Sequence, residues 1–365
     1  MAEIGAVERR EVIIPHSMPI PGQEIVFSSL DKGALPVVSV VVMLRNEAPT
    51  LPVLLASLER QKTDFPTEVI FVDGASDDSS LRVILDHPVA KSMPILLVRL
   101  PLENCGMTVA QNVGAELARG DILLFAQADV RVRDTQAIAK ALACFEDPEV
   151  VGTRFVGLGP QNVFEKYDFW GKVFMARYVG DRVENDFDLK WNAVRKDVFQ
   201  RLGGFDDQRL PLGGNDFEFE TRLLRTGKIV PTGVEAEHLH GLGKEHRPLG
   251  LIKKYCRNSE VTGATASIYF RHRALVPGYA SRLLQQVGVV AACAAALVPA
   301  WWPWSPLLVL LLGAWHQKAV YLHVRSWRLV WIPLFGLVVL FAFAIYFLAG
   351  LLRGRTAFEF DNKMR

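Results

Sequence analysis

The chain has 365 residues, which is the length of about two ordinary domains. Half of its residues are hydrophobic and 22% are charged, so the composition excludes a disordered or collagen-like chain. Its 41 basic and 39 acidic residues nearly cancel, so no global field recruits nucleic acid. The four cysteines form no CxxC pair and no secretory signal opens the chain, which predicts reduced thiols in a cytosolic compartment.

Charge is unevenly distributed along the chain. Most carboxylates lie before Glu260, whereas the stretch from Leu283 to Leu352 is almost uncharged. This contrast predicts a water-soluble part joined to a membrane part. We expect an extended N-terminal arm, a soluble domain, and an interfacial segment with two to three transmembrane helices, which cover residues 1–35, 36–265 and 266–365.

The first half of the soluble part predicts an α/β fold. Four apolar runs have the length of strands buried on both faces, and they are Val37–Leu44, Glu68–Val72, Ile95–Leu100 and Asp121–Ala126. Helical spacing occurs in Leu51–Leu58 and Thr108–Ala118. This order of elements predicts βαβ units and a parallel sheet. Each run ends in a polar cluster, at the edge where open α/β sheets bind ligands.

Beyond Thr153 the pattern is looser. Val163–Tyr178 is rich in aromatic residues and is predicted to be helical, and it suits core packing better than an acceptor platform. Phe187–Trp191 is a possible strand, and Val198–Leu202 is a helical turn before two glycines. Asn215–Leu224 is predicted to be a helix, because it has helical spacing and an acidic first turn.

The C-terminal part predicts membrane spans. Leu329–Leu352 holds 24 residues without a charge, which is enough to cross a hydrocarbon layer about 30 Å thick. Val287–Trp315 is also uncharged, but prolines and tryptophans interrupt it, which favours three crossings over two. The basic residues from Lys244 to Arg282 predict that the soluble domain is cytoplasmic. Arg353 and Arg355 would lie outside in a three-span chain, so two spans stay possible.

Acidic residues stand at the predicted strand ends and at one helix start. They are Asp73, Asp77 or Asp78, Asp129 and Asp216. Magnesium usually holds a phosphorylated substrate with one or two protein carboxylates. Because the chain has no GxxxxGKS loop, the pattern indicates a metal and nucleotide diphosphate site outside the P-loop class. The alternative for any single aspartate is a turn residue or a helix cap.

The ordered motifs between Pro36 and Arg257 are more specific than any one of them. They are Val38–Val42 with Arg45-Asn46-Glu47, Val72–Ser79, Asn104–Gly106, Ala110–Gly114, Ala118–Asp121, Gln127-Ala128-Asp129, Arg195-Lys196, Gly203–Asp206 and Gly214-Asn215-Asp216. This set resembles the family 2 glycosyltransferases with a GT-A fold. The resemblance implies an α/β, Rossmann-like nucleotide-sugar domain followed by C-terminal transmembrane helices.

The resemblance also implies roles for individual residues. Glu47 and Asp73 would contact the ribose and base of the donor, commonly uridine. Asp129 would be the second acid of the family's Asp-x-Asp element and would hold Mg²⁺ or Mn²⁺ against the diphosphate. Asp216 would be the general base of inverting transfer.

Three further positions follow from the same resemblance. His238 or His240 falls where such enzymes often have a histidine near the donor phosphates, so both are candidate metal ligands. Gln127 replaces the first acid of the Asp-x-Asp element, and its amide can still bind a ribose or phosphate. Asn215 precedes the base where many relatives have glutamate.

Arg257 is a further candidate donor contact. Processive synthases of this family carry a Gln-x-x-Arg-Trp motif, whereas Lys254–Asn258 lacks both the glutamine and the tryptophan. The resemblance therefore favours transfer of a single sugar over polymerisation.

Together these expectations describe a membrane-anchored, inverting glycosyltransferase of the cytoplasmic membrane. Its donor would be a UDP-sugar, and its acceptor a polyprenyl-diphosphate-linked glycan, as in enzymes of bacterial exopolysaccharide (succinoglycan-type) assembly. One alternative is a polyprenyl-phosphate glycosyltransferase. Another is a non-catalytic membrane subunit that binds sugar nucleotide.

Overall fold

A computed structural model of the chain describes residues 21–30, 35–159, 161–176, 182–210, 213–239, 248–272, 291 and 305–355. The described residues form two compact units, each assembled from separate stretches of the chain. The first unit lies within residues 1–157, 183–205 and 222–239, and the second within 158–182, 206–221 and 240–365. The expected boundaries after residues 35 and 265 remain predictions.

A mixed β-sheet forms the centre of the first unit. In chain order its strands are β1 (Glu24–Ser28), β2 (Val38–Leu44), β3 (Thr67–Asp73), β4 (Ile95–Arg99), β5 (Ile122–Gln127), β6 (Val130–Val132), β7 (Val150–Leu158), β8 (Arg182–Asp186), β9 (Trp191–Arg195) and β10 (Lys228–His238). Their order across the sheet is β1-β4-β3-β2-β5-β9-β7-β10-β6, and β8 pairs with β7. Strands β4, β3, β2 and β5 run parallel, and they are flanked by antiparallel β1 and β9.

Helices cover both faces of this parallel centre, and the sequence explains why. The helices that begin in the first unit are α1 (Leu51–Glu59), α2 (Ser80–Asp86), α3 (Val89–Ser92), α4 (Met107–Leu117), α5 (Ala137–Ala143) and α7 (Lys196–Arg201). Val40 and Val41 point to opposite faces of β2, and at most 1% of either is exposed. Gly114 of α4 lies so close to Val41 that a Cβ there would clash with it.

The second unit is mainly helical. It contains α6 (Phe169–Met175), the start of α8 (Asn215–Leu223), α9 (Pro248–His272), α10 (Ser305–His316), α11 (Lys318–His323) and α12 (Ile332–Arg353). The aromatic rings of Trp170 and Phe335 lie 5.0 Å apart, and those of Phe174 and Tyr255 lie 5.7 Å apart. Four aromatic rings therefore join α6, α9 and α12 in one core, as expected for core packing of the aromatic segment.

Helix α12 lies close to α9 and carries the most apolar segment described. The stretch Trp327–Arg353 contains 18 consecutive residues with a mean hydropathy of 2.6, and it is long enough to cross a membrane. A Cβ on Gly350 would clash with the carbonyl of Glu260, so a residue without a side chain permits this approach. The Glu260 side chain is 1% exposed and pairs with Arg353 at 2.9 Å. The earlier predicted spans fall mostly outside the described residues.

Most predicted elements are confirmed, and one is wrong. The four predicted parallel strands and the helix at Asn215 appear with their expected bounds shifted by one or two residues. The aromatic segment is helical in two pieces, a 3₁₀ turn and α6, because the Asp168 side chain caps Gly171 N and starts a new helix. The strand expected over Phe187–Trp191 is instead the connection between β8 and β9, where Leu189 has φ +62°.

A buried polar network lies at the amino ends of the parallel strands. The carboxylate of Glu68, 1% exposed, accepts hydrogen bonds from Ser39 Oγ at 2.7 Å and from Arg119 N at 2.8 Å. Its second oxygen pairs with Arg119 Nη2 at 2.8 Å. The Ser39 hydroxyl in turn accepts from Gly120 N at 2.8 Å. One glutamate thus links β2, β3 and the turn before β5.

Substituting Arg119→Ala should strongly destabilise the first unit. Removing one partner of a buried ion pair leaves an uncompensated charge, which costs about 3 to 5 kcal/mol of unfolding free energy. The matched control is Arg82→Ala, because Arg82 pairs with Asp86 at 3.2 Å but is 84% exposed. Denaturant unfolding of purified protein would measure both changes, and equal losses in the two variants would contradict this reading.

Candidate donor and metal site

Asp73 occupies the carboxyl end of β3 and is fully buried. Its carboxylate accepts hydrogen bonds from Ser76 N at 3.1 Å and from the Ser76 hydroxyl. Arg99, its register partner at the end of β4, lies with Nε 3.6 Å from Asp73 Oδ2. Burial raises the pKa of Asp73 above its usual value, and the Ser76 hydrogen bonds and the Arg99 charge offset only part of this rise. The contacts with Ser76 and Arg99 hold the Asp73 carboxylate in one position at the end of the strand.

The loops that follow β2 and β3 are hydrogen-bonded to each other. Asn46 N donates to Ser76 Oγ at 2.9 Å, and Glu47 N donates to Ser80 Oγ at 2.9 Å. Glu47 Oε2 accepts from the Thr50 hydroxyl at 2.6 Å, directly before α1. These bonds fix Glu47 and Asp73 in one polar edge of the sheet, as the sequence predicts for strand ends.

The backbone of these loops adopts a sparsely populated conformation. Asn46 and Ala75 have φ of +55° and +59°, in the left-handed region that non-glycine residues seldom occupy. Backbone strain of this kind is often found at ligand sites, where the surrounding structure holds it. Asn46 Oδ1 also accepts from Asp77 N at 2.9 Å, which supports both turns at once.

Asp129 and His238 are brought together by antiparallel pairing. Asp129 precedes β6 and His238 ends β10, and the register pairs His238 with Val130. His238 Nε2 lies 2.9 Å from Asp129 Oδ2, and Leu239 N donates to Asp129 O at 2.6 Å. The side chains of His238 and Asp129 are 25% and 21% exposed, so both retain an accessible surface.

This pair has the right chemistry for a divalent cation. A carboxylate oxygen and an imidazole nitrogen are both accepted ligands of Mn²⁺, and a carboxylate suits Mg²⁺. Within the described residues, no group of three or more His, Cys, Asp or Glu side chains could hold a metal alone. Phosphate oxygens of a bound ligand would have to complete the coordination. His240, the other candidate ligand, lies outside the described residues.

Gln127 is the last residue of β5, and β2 lies between β5 and the strand that carries Asp73. Its Nε2 donates to Asp188 O at 3.2 Å, in the connection between β8 and β9. Buried Asn192 fixes this connection, because its Oδ1 accepts from Leu189 N at 2.8 Å. Strands two places apart in a sheet are roughly 10 Å apart. The sequence analysis did not predict this connection. Asn192, a polar residue within the apolar strand β9, is the signal that could have indicated it.

Asp216 stands in the first turn of α8, in the second unit. Its Oδ1 accepts from Phe217 N at 2.9 Å, and the helix start favours the ionised carboxylate. Gly214 has φ +83°, and a Cβ there would clash with Thr265 of α9. The glycine before Asn215 is therefore required by the backbone and by close packing.

Arg257 also belongs to the second unit, on α9. Burial lowers the pKa of its guanidinium. One turn earlier, Lys254 Nζ lies 4.2 Å from the ring centroid of Phe174. Asp73, Gln127, Asp129 and His238 are thus assembled on the first unit, whereas Asp216 and Arg257 are positioned by helices of the second.

Comparisons with known proteins identify the family that this chain resembles. The glycosyl transferase family 2 model matches residues 39–203. Hyaluronan synthase of Pasteurella multocida is 24% identical over 246 residues, covering 57% of this chain and 25% of the relative. Undecaprenyl-phosphate 4-deoxy-4-formamido-L-arabinose transferase of Aeromonas hydrophila is 25% identical over 220 residues, covering 57% of this chain and 62% of the relative. The chain thus spans less than two thirds of either relative.

A solved structure shows the same fold. The mannosyltransferase from Pyrobaculum calidifontis, in complex with GDP-Man and Mn²⁺, is 19% identical and superposes with a TM-score of 0.51. The match covers 88% of this chain and 89% of that structure. The chain therefore carries a family 2 glycosyltransferase domain with the GT-A fold, and this domain includes the strand ends that hold Asp73 and Asp129.

Proposed function

We propose that this protein transfers one sugar from a nucleotide-sugar donor, a UDP-sugar, to a membrane-held acceptor, with inversion at the anomeric carbon. The observation that carries the proposal is the pairing of Asp129 Oδ2 with His238 Nε2 at 2.9 Å, at the sheet edge that also holds Asp73. The mannosyltransferase with this fold was solved with a nucleotide-sugar and Mn²⁺, which supports a donor and a divalent cation here.

Asp129 and His238 would hold Mg²⁺ or Mn²⁺ against the donor diphosphate. When bound, the cation stabilises the charge that the leaving nucleoside diphosphate gathers as the glycosidic bond breaks. Gln127 contributes no charge of its own, so the protein supplies less negative potential there than two aspartates would. Its amide remains able to hydrogen-bond the ribose or a phosphate.

Asp73 and Glu47 would bind the nucleoside. The buried Asp73 carboxylate, held by Ser76, offers an acceptor for an imide N–H of uracil. Glu47, on the adjoining loop, offers acceptors for ribose hydroxyls. These positions lie beside each other because β2 and β3 are parallel neighbours.

Asp216 would take the proton of the acceptor hydroxyl. A hydroxyl is a poor nucleophile until a base removes its proton, and a carboxylate can do so during attack. The hydrogen bond from Phe217 N and the start of α8 both favour the ionised form that this role needs.

A membrane-held acceptor is supported by the apolar stretch Trp327–Arg353. Holding the catalytic domain beside a bilayer raises the effective concentration of a lipid-linked partner. We propose a multi-pass protein of the cytoplasmic membrane with its catalytic side cytoplasmic. Its acceptor would be a polyprenyl-diphosphate-linked glycan in exopolysaccharide assembly.

A bare polyprenyl phosphate is the second candidate acceptor, because the Aeromonas relative is named for an undecaprenyl-phosphate substrate. Lys253 and Arg257 of α9 could hold such a phosphate. Supplying radiolabelled donor with each lipid separately distinguishes the two acceptors, since only the true one becomes labelled.

Asp129→Asn should remove metal-dependent donor hydrolysis and transfer. Neutralising the carboxylate weakens its bond to the cation, and loss of a metal ligand should lower turnover by at least about 100-fold. The matched control is Asp121→Asn, an exposed aspartate just before the other end of β5. Titrating Mn²⁺ against activity checks this, and wild-type turnover in Asp129→Asn would refute the metal role.

Asp216→Asn should lower transfer by about 10² to 10⁴-fold, because the acceptor hydroxyl loses its base. Donor affinity, measured by calorimetry, should stay unchanged. Asp197→Asn serves as the control, since Asp197 is also in the first turn of a helix but pairs with Arg201 at the surface. A variant that loses donor affinity along with turnover would show that Asp216 supports the fold or the donor pocket instead.

A further inference from the structure

The contact between His238 and Asp129 depends on a very short strand. β6 has three residues and pairs with β10 at the edge of the sheet. Three register pairs hold it, and they are Ala236 with Val132, Glu237 with Arg131, and His238 with Val130. A slip of one residue would turn His238 to the opposite face. The buried side chains of Val130, Val132 and Ala236 favour this register, and any further contact along so short a ladder adds to what positions His238.

Glu237 provides a second set of contacts on this ladder. Its Oε2 lies 3.0 Å from Arg131 Nη1 and 3.1 Å from Arg133 Nη2. The Glu237 side chain is 11% exposed, so the carboxylate is largely shielded from water, which strengthens both charge-assisted bonds. The two arginines belong to β6 and to the residue just after it.

The Glu237 carboxylate would not itself coordinate the cation. Successive side chains of a strand point to opposite faces, so Glu237 and His238 project in opposite directions. Both arginines already occupy the same Glu237 oxygen. Any effect of Glu237 on a bound cation must therefore pass through the position of His238.

We propose that Glu237, together with Arg131 and Arg133, is a positioning clamp that sets the affinity of the Asp129–His238 pair for its divalent cation. The inference rests on the proposed metal role of that pair. The clamp fixes the register of β10 on β6, and Leu239 N, which donates to Asp129 O at 2.6 Å, extends the same alignment past the ladder. Residues that orient a metal ligand without touching the metal typically lower the metal affinity by about 10 to 100-fold when they are substituted.

The other end of β10 supplies a matched control. Lys228 begins the strand and pairs with Glu149 across the sheet, and these side chains are 59% and 66% exposed. Glu149→Gln therefore removes an ion pair from the same strand, ten residues from His238. If Glu237 acts as a clamp, Glu237→Gln should weaken Mn²⁺ binding and Glu149→Gln should not.

The experiment measures Mn²⁺ binding by the electron paramagnetic resonance of free Mn²⁺. Full-length wild type, Glu237→Gln and Glu149→Gln are titrated with Mn²⁺ alone and with UDP or GDP present, and their thermal unfolding is recorded. Glu237→Gln should raise the apparent Kd for Mn²⁺ by about 10 to 100-fold. Glu149→Gln should leave it unchanged, even if both variants lose similar thermal stability.

An unchanged Kd in folded Glu237→Gln, or an equal rise in Glu149→Gln, would overturn the clamp while leaving the metal role intact. A wild type that binds no Mn²⁺ under any of these conditions would instead overturn the proposed metal role, and the clamp with it. If Glu237→Gln does not fold, Arg133→Gln decides the matter. The Arg133 side chain is 67% exposed, so this substitution removes one ion pair with little loss of packing. The clamp predicts that it raises the Kd for Mn²⁺ by less than Glu237→Gln would.

Discussion

The parallel pairing of β2 with β3 and β5 is the constraint on which the site depends. Register places Leu44 beside Asp73 and Met43 beside Gln127, so all three strands end at one edge. Apolar side chains on both faces of these strands leave their polar residues only at the ends. The chemistry of the protein is therefore concentrated where the chain leaves its most deeply buried segments.

The antiparallel part of the sheet adds the His238 imidazole to the edge formed by the parallel strands. β10 returns along β6 and delivers an imidazole to the carboxylate that follows β5. In the proposed metal site, His238 would supply a nitrogen ligand, and this would compensate in part for Gln127, where the family resemblance implies an acid. Two side chains do not fill the coordination shell of a divalent cation, so the proposed binding would depend on phosphate oxygens of the ligand.

Local pattern was enough to predict the strands, the helix at Asn215 and the acids at strand ends, because continuous apolar runs and their polar stops are local features. The Phe187–Trp191 segment was mistaken for a strand because its apolar residues suit one. Its true form is set by the Asn192 hydrogen bond and the positive φ of Leu189, which depend on tertiary contacts. Likewise, no local pattern pairs His238 with Asp129, which lie 109 positions apart, and only the family resemblance suggested that both bind near the donor phosphates. The roles assigned to the candidate site residues remain predictions, and these residues are Glu47, Asp73, Gln127, Asp129, Asp216, His238, His240 and Arg257.

The central proposal is that this sheet edge binds a nucleotide-sugar through a divalent cation. The most direct measurement is calorimetric binding of UDP-, GDP- and dTDP-sugars to detergent-purified wild-type protein, with Mn²⁺ or Mg²⁺ and again with EDTA. If this proposal holds, one donor class, a UDP-sugar, binds selectively, and the chelator abolishes its binding. Binding of no donor, or binding that is indifferent to EDTA, would contradict it.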